Sequence, residues 1–172
     1  MFACEAALRC GVVTPTVEIR DARDDDSLDL IALVARCWAQ YPGCVLDVHG
    51  EEPELLAPGA AIPDGRWWVA VLGGRVLGSV ALSPGEDGGV MLRKLYVDPT
   101  WRRRGLGTRL VEVVEAEASS RGANRIELWS DTRFEDAHRL YERLGYERQA
   151  DTRELHDLSR TVEYRFVKPV PD

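Results

Sequence analysis

A basic turn that contains glycine, in the middle of the chain, is the segment whose residues are best suited to chemistry. It reads, in order, Leu95, Tyr96, Val97, Asp98, Pro99, Thr100, Trp101, Arg102, Arg103, Arg104, Gly105, Leu106, Gly107 and Thr108. Glycine lets a bound group approach the backbone closely, and the first amides of a helix have no internal partner. Because the helix dipole and the arginines both attract anions, this turn predicts a site for a diphosphate.

Two other phosphate-binding motifs are excluded, because each requires a residue that this turn lacks. A dinucleotide fingerprint needs a third glycine, and Leu110 stands at that position. A nucleoside triphosphate loop needs Gly-Lys-Ser/Thr, whereas Gly107 is followed directly by Thr108. For the turn taken alone, a glycine-tolerant helix start beside a solvated run of arginines remains the plain structural alternative.

A second motif further along the chain favours the functional interpretation. The spacing Arg102-x-x-Gly105-x-Gly107 resembles the Arg/Gln-x-x-Gly-x-Gly/Ala signature of the GNAT superfamily of N-acetyltransferases. The run from Ala137 to Tyr146 is similar to the second landmark of that family, Ala-x-x-Leu-Tyr-Glu-x-x-Gly-Phe/Tyr. The two motifs occur in the family's order, and the resemblance covers about residues 17–168.

The resemblance implies acetyl-CoA as the co-substrate. In this family the pantetheine arm lies along a splayed strand through main-chain hydrogen bonds, and the diphosphate rests on the amides of the glycine turn. Carried over to this sequence, the coenzyme-binding positions are Leu95, Tyr96, Val97, Arg102, Arg103, Arg104, Gly105, Leu106, Gly107 and Thr108. Since backbone shape matters most there, we expect alanine at Gly105 or Gly107 to weaken coenzyme binding more than alanine at Arg103.

The implied reaction is direct attack of a primary amine, on a small molecule or a peptide, on the thioester. An amide near Val97 is the implied donor to the oxyanion. Tyr141 stands where many members place the general acid for the coenzyme A thiolate. Packing also explains this tyrosine, since it shares a helical face with Ala137, Leu140 and Leu144. A non-catalytic acyl-CoA-binding module on the same fold is the alternative function.

The general base is missing from its usual place. Many relatives carry a carboxylate on the strand at 90–97, which offers Arg93 and Lys94 here and no acid before Asp98. The remaining candidates are Asp131, His49 and Glu51. Bulk water suffices for an amine of low pKa. An asparagine that many relatives direct at the coenzyme arm is also missing, with Asp136 as its nearest substitute.

The acceptor pocket is the least defined part of the site. Its candidate lining comprises Trp67, Trp68, Trp129 and the segment 153–157. Aromatic residues in strands lie more often in the core, so we expect at least one of the two adjacent tryptophans to be a core residue. Acids that hint at a cationic acceptor, or that simply belong to a solvated loop, are Asp47, Glu51, Glu52 and Glu54.

Periodicity predicts the strands and helices that must position these residues. Strands are predicted at 17–20, 67–72, 76–82, 90–97, 125–129 and 162–166, and helices at 28–38, about 105–121 and 132–144. A capping box at Thr132 and Glu135 begins the third helix. The apolar face of the first helix is assigned to Leu28, Ile31, Ala35 and Trp38. This order predicts an α/β (α+β) domain on a mixed sheet. The resemblance implies that the sheet is mostly antiparallel, flanked by helices and splayed between the strands at about 90–97 and 125–129.

Length and charge limit the remaining possibilities. The 172 residues fit one domain at 16–172 after a loose extension at 1–15. A net charge of −7 disfavours nucleic acid, although the basic run 101–104 leaves RNA binding as a weaker interpretation. With no apolar span and no secretory signal, we expect a cytoplasmic protein without membrane contact. Cysteines without zinc-site spacing, which predict free thiols and no metal, are Cys4, Cys10, Cys37 and Cys44. Family members are often dimers, so a homodimer is the prior expectation.

Overall fold

A seven-stranded sheet forms the centre of the computed structural model, which describes residues 16–171. Its strands are β1 (Glu18–Asp21), β2 (Arg66–Leu72), β3 (Arg75–Pro84), β4 (Val90–Val97), β5 (Arg125–Asp131), β6 (Glu147–Glu154) and β7 (Val162–Pro169). The α-helices are α1 (Ser27–Trp38), α2 (Leu106–Ser120) and α3 (Glu135–Arg143). The extension predicted at 1–15 lies outside the described residues.

The sheet separates at its centre. The strand order is β1-β2-β3-β4-β5-β7-β6, and every neighbouring pair is antiparallel except β4 and β5. These two strands run parallel and pair only where Val90 meets Ile126 and Met91 meets Glu127. Beyond Met91 they diverge, which leaves the second half of β4 open on that side. The predicted mixed, mostly antiparallel sheet with a splay at this place is confirmed.

Helices cover both faces of the sheet. Residues of α2, including Leu110 and Val114, pack with Trp68 on one face. Residues of α1 pack with Trp67 on the other face. Because successive strand residues point to opposite faces, the two adjacent tryptophans enter different cores, and each is only 4% exposed. The expectation that at least one of them is a core residue is confirmed for both.

The buried face of α1 differs from the predicted one. The residues that enter the core are Leu30, Leu33, Val34 and Cys37, whereas Leu28 is 81% exposed. Both sets have helical spacing, so periodicity alone does not decide between them. The helix is oriented by the preceding turn, where Arg20 binds the buried Asp26 at 2.7 Å. The assignment of Leu28 to the apolar face was therefore wrong.

Two boundaries after β5 also differ from the prediction. The amide of Thr132 still donates to Val162 O at 2.8 Å, so this residue continues the sheet and does not cap α3. The helix begins at Glu135, and the predicted capping box is absent. Strand β6 was not predicted, because its sequence Glu-Arg-Gln-Ala-Asp-Thr-Arg-Glu shows no apolar alternation. It is an edge strand that pairs only with β7, so a polar sequence suits it.

The sequence also led to expectations about membrane-spanning helices, thiols and metal-binding clusters, and the structure bears on each of them. Within residues 16–171, no helix is both long and apolar enough to cross a membrane. Cys37 and Cys44 are free thiols, and no group of three or more His, Cys, Asp or Glu in this region is arranged to hold a metal ion.

Candidate active site

A bulge in β4 changes the direction of the strand just before the predicted coenzyme segment. The register against β3 shifts between Ser79 and Ala81, and Lys94 has a left-handed φ of 53°. Non-glycine residues in this region are strained and need support from their surroundings. Ser79 Oγ supplies it by donating to Lys94 O at 2.7 Å. The bulge thus turns Leu95–Val97 along the open side of the sheet.

The turn from β4 into α2 is held by one buried carboxylate. Asp98 is fully buried and accepts hydrogen bonds from Thr100 N at 3.0 Å and Thr100 Oγ1 at 2.7 Å. Arg36 Nε and Arg75 Nη2 also donate to it, at 3.1 Å and 2.7 Å. Burial opposes its ionisation, but these hydrogen bonds and charges outweigh burial and lower the pKa of Asp98.

The two glycines of this turn serve different purposes. Gly105 precedes α2 with a left-handed φ of 77°, which favours glycine. Gly107 lies in the first turn of α2, where a Cβ would come within 3.0 Å of Leu140 Cδ2 on α3. The first intrahelical bond joins Arg109 N to Gly105 O at 3.1 Å. The amides of residues 106–108 therefore precede the helical hydrogen-bond ladder and are suited to an anion.

A cleft of about 580 Å³, here called the α2 cleft, lies above this turn. Nine of the ten predicted coenzyme positions line it, namely Leu95, Tyr96, Val97, Arg102, Arg103, Gly105, Leu106, Gly107 and Thr108. The tenth, Arg104, lies outside the lining and stacks on Trp101 at 4.9 Å. Arginines in the lining are Arg102, Arg103, Arg139 and Arg143, against one acid, Asp136. The cleft is thus basic although the chain is acidic.

Residues from two helices complete the α2 cleft and were missed in the sequence. Helix α1 and the residues after it supply Cys37, Trp38 and Tyr41, and α3 supplies Arg139, Leu140 and Arg143. The three α3 residues lie within the second motif at 137–146, but that motif did not assign them to the coenzyme site. They meet the α1 residues only when α1 and α3 pack beside the splay. Asp136, the expected substitute for asparagine, does line the cleft. Its carboxylate is held by Arg139 at 2.6 Å, and this hydrogen bond lowers the pKa of Asp136.

A second cavity of about 470 Å³, here called the β4–β5 cavity, opens between the diverging strands. It meets the α2 cleft, because both are lined by Trp38, Leu95, Tyr96, Phe134 and Ala137. Of the residues predicted for the acceptor pocket, it contains Trp129, Arg153, Leu155 and Asp157. Trp67 and Trp68 are absent from its lining, which corrects their assignment to this pocket.

Tyr141 lies in the β4–β5 cavity and is only 5% exposed. Its ring also packs against Tyr146 and Phe166, with centroids 5.9 Å and 5.6 Å apart. Burial raises the pKa of Tyr141 well above its usual range, so the phenol stays protonated at neutral pH. The side chain therefore packs in the core and also presents a proton donor beside the cavity.

The candidates for the general base are placed differently from one another. Asp131 lines the β4–β5 cavity, but Arg133 binds both of its oxygens, at 2.9 Å and 2.5 Å. His49 and Glu51 lie outside both linings, and Glu51 accepts a hydrogen bond from Leu158 N at 2.7 Å. The loop contributes Glu52 to the cavity instead.

Comparisons with known proteins agree with this arrangement. The chain is 28% identical over 136 residues to a Xenopus tropicalis protein whose name reads "Probable N-acetyltransferase camello", covering 70% of this chain and 60% of that protein. It is 28% identical over 144 residues to the aminoalkylphosphonate N-acetyltransferase of Salmonella typhimurium, covering 78% and 87%. This chain thus spans less than two thirds of the first of these relatives.

Among solved structures, the fold matches an aminoglycoside 6'-N-acetyltransferase complexed with coenzyme A. The TM-score is 0.68 at 21% identity, over 90% of this chain and 98% of the other. The model of the Acetyltransferase (GNAT) family matches residues 30–146, a region that includes the glycine turn, the splay and Tyr141. The chain therefore belongs to the GNAT family of acetyltransferases.

Proposed function

We propose that this chain transfers an acetyl group from acetyl-CoA to a primary amine of a small molecule or a peptide. The observation that carries the proposal is that the α2 cleft, which is basic and borders the free amides of α2, meets the β4–β5 cavity at the splay. The coenzyme occupies the α2 cleft, with its diphosphate on the amides of residues 106–108 and its arm along Leu95–Val97. The acceptor enters the β4–β5 cavity from the opposite side, so that the two substrates meet beside Tyr96 and Tyr141.

In this arrangement Tyr141 donates a proton to the thiolate of coenzyme A as the C–S bond breaks. Burial makes the phenol a weaker acid, but a thiolate that forms in the same cavity is also desolvated and becomes a better proton acceptor. Support for a small amine comes from the Salmonella relative, whose name describes an aminoalkylphosphonate acceptor. The residues of the arm site and the proton donor thus lie on the two sides of one junction.

Coenzyme binding is tested by calorimetric titration of the purified protein with acetyl-CoA and, separately, with free coenzyme A. Micromolar binding of the acetyl form supports the proposal and justifies a screen of amines, with the acetylated product identified by mass spectrometry. Binding without turnover of any amine favours the non-catalytic acyl-CoA-binding module. No binding of either compound overturns the assignment of the α2 cleft.

A further inference from the structure

Glu52 lies in the loop between α1 and β2, and its backbone is fixed on both sides. Its amide donates to Asp47 O at 2.9 Å, and its carbonyl accepts a hydrogen bond from Leu55 N at 3.1 Å. Leu55 is fully buried in the core beneath α1. The position from which the Glu52 side chain enters the β4–β5 cavity is therefore defined by the fold.

The β4 bulge supplies the partner that orients this carboxylate. Lys94, whose side chain is only 9% exposed, binds Oε2 of Glu52 and also lies 3.1 Å from Glu54. Oε1 of Glu52 makes no hydrogen bond with any residue in the described range 16–171. Glu52 thus lines the cavity with one oxygen held by a cation and the other without a hydrogen bond to the described residues.

Glu52 lines the β4–β5 cavity, which meets the α2 cleft. Tyr96 lines both of them, and its pKa is raised by burial and further by the negative charge of Glu52. Glu52 therefore shares the β4–β5 cavity with Tyr96, beside which the thioester and the acceptor are proposed to meet.

The other carboxylates that line the β4–β5 cavity have partners of their own. Asp131 is bound through both oxygens by Arg133. Glu163 pairs with Arg153 at 2.5 Å, and this arginine also stacks on Trp129 at 4.5 Å. Asp157 accepts from Thr161 N at 2.8 Å and from Thr161 Oγ1 at 2.6 Å, one bond on each oxygen. Charged and titratable groups around the cavity, besides Glu52, are Cys44, Glu54, Arg93, Lys94, Tyr96, Asp131, Arg133, Tyr141, Arg153, Asp157 and Glu163.

We propose that Glu52 is a catalytic residue that binds the ammonium group of the acceptor and takes its proton. The inference rests on the proposed function and supplies the base that β4 lacks. The ammonium transfers one proton to Oε1 of Glu52, and the nitrogen lone pair forms the C–N bond to the thioester carbon. As the tetrahedral intermediate collapses, the C–S bond breaks and the thiolate takes a proton from Tyr141. The nitrogen of the intermediate loses its second proton to water, and the proton on Glu52 restores Tyr141 through water. The net result is an amide, the free thiol of coenzyme A and one proton released to solvent.

The test compares Glu52→Gln with Glu54→Gln, using an amine that the wild type acetylates. Both variants remove a carboxylate partner of Lys94, but only Glu52 lines the cavity. For Glu52→Gln we expect kcat/KM for the amine to fall about 100-fold at neutral pH, with acetyl-CoA affinity unchanged. For Glu54→Gln we expect a change of less than about fivefold, since this partly exposed pair contributes little.

The pH profile separates catalysis from a structural role. Without Glu52 only the unprotonated amine reacts, and its fraction rises with pH. The loss of kcat/KM in Glu52→Gln should therefore shrink about tenfold per pH unit as the pH rises toward the pKa of the amine. Glu52→Asp, which keeps a carboxylate, should be slower than wild type but retain the wild-type profile, and it replaces the first variant if that one does not fold.

Three results overturn the inference. The first is wild-type kcat/KM in Glu52→Gln, and the second is a deficit that is the same at every pH. The third is an equal loss in Glu54→Gln. In each case turnover by the wild type leaves the proposed function standing, whereas an acetyl-CoA-binding wild type that acetylates no amine overturns both together.

Discussion

Arg75 Nη2 donates a hydrogen bond to Asp98 Oδ2 across 2.7 Å and thereby ties the β2–β3 hairpin to the turn that leads into α2. Arg36 of α1 reaches the same oxygen at 3.1 Å. The fully buried carboxylate thus joins three elements directly below the α2 cleft. Because the cleft depends on the direction in which the chain leaves β4, both the shape of the proposed coenzyme site and the stability of the fold depend on Asp98.

Asp98→Asn should lower the free energy of unfolding by about 3 kcal/mol at pH 7, because it removes the charged partner of two arginines. The pKa of Asp98 is lower in the folded state than in the unfolded state. Its stabilisation is therefore complete above an unfolded pKa of about 3.9 and is lost as the pH falls through the folded pKa. Urea unfolding at several pH values should show the difference between variant and wild type shrinking below about pH 4.

Asp136→Asn is the matched control for Asp98→Asn. The pKa of Asp136 is also lowered, but its side chain is half exposed. We expect it to change stability by less than about 0.5 kcal/mol. A difference for Asp98→Asn that stays constant from pH 7 to pH 3 would contradict the ionic role of this carboxylate.

Gly107→Ala should weaken acetyl-CoA binding at least about tenfold, because its Cβ would meet Leu140 Cδ2 at 3.0 Å and displace the first turn of α2 or α3. Arg103→Ala removes one charged side chain and leaves the amides in place, so we expect a loss of about threefold. Arg104→Ala serves as the comparison, since its side chain lies outside the cleft. Calorimetric Kd values for the three variants decide the order. A larger loss in Arg103→Ala than in Gly107→Ala would show that side chains and not backbone shape dominate.

Tyr141→Phe should lower kcat about 100-fold without changing the Kd of acetyl-CoA, because it removes only the proton donor. The protonated phenol is the active form, and burial raises the pKa of Tyr141. Deprotonation of Tyr141 should therefore not lower the wild-type rate at any pH up to about 10. Tyr146→Phe is the matched control, because Tyr146 is equally buried, packs against Tyr141 and lines neither cavity. Full turnover in Tyr141→Phe, or an equal loss in both variants, would remove the acid role.

Leu30→Ala should cost about 3 kcal/mol of stability, because Leu30 is fully buried and the change leaves a cavity. Leu28→Ala, two positions away on the same helix, should change stability by less than about 0.5 kcal/mol, since Leu28 is 81% exposed. Thermal or urea unfolding of both variants tests the orientation of α1. A larger loss of stability in Leu28→Ala than in Leu30→Ala would instead support the predicted helix face that contains Leu28.

The proposed coenzyme half of the site could be recognised in the sequence because its residues are local. An anion site made from helix amides, glycines and neighbouring arginines lies within one continuous segment, 95–108, whose strand–turn–helix pattern is readable residue by residue. The strands that pair through apolar alternation were likewise predicted. The polar edge strand β6 was not, because its solvent-facing residues carry no periodic signal.

Only the tertiary structure decided the acceptor half. The divergence of β4 and β5, the rotation of α1 and the convergence of Glu52, Lys94 and Tyr141 depend on contacts between distant parts of the chain. Which of several acidic loop residues enters the cavity is decided by backbone hydrogen bonds and a buried anchor at Leu55, and composition does not encode them. The sequence by itself thus determined the family, the succession of its apolar strands along the chain and a candidate anion site. The fold determined where the two cavities meet, because that place is built from long-range packing.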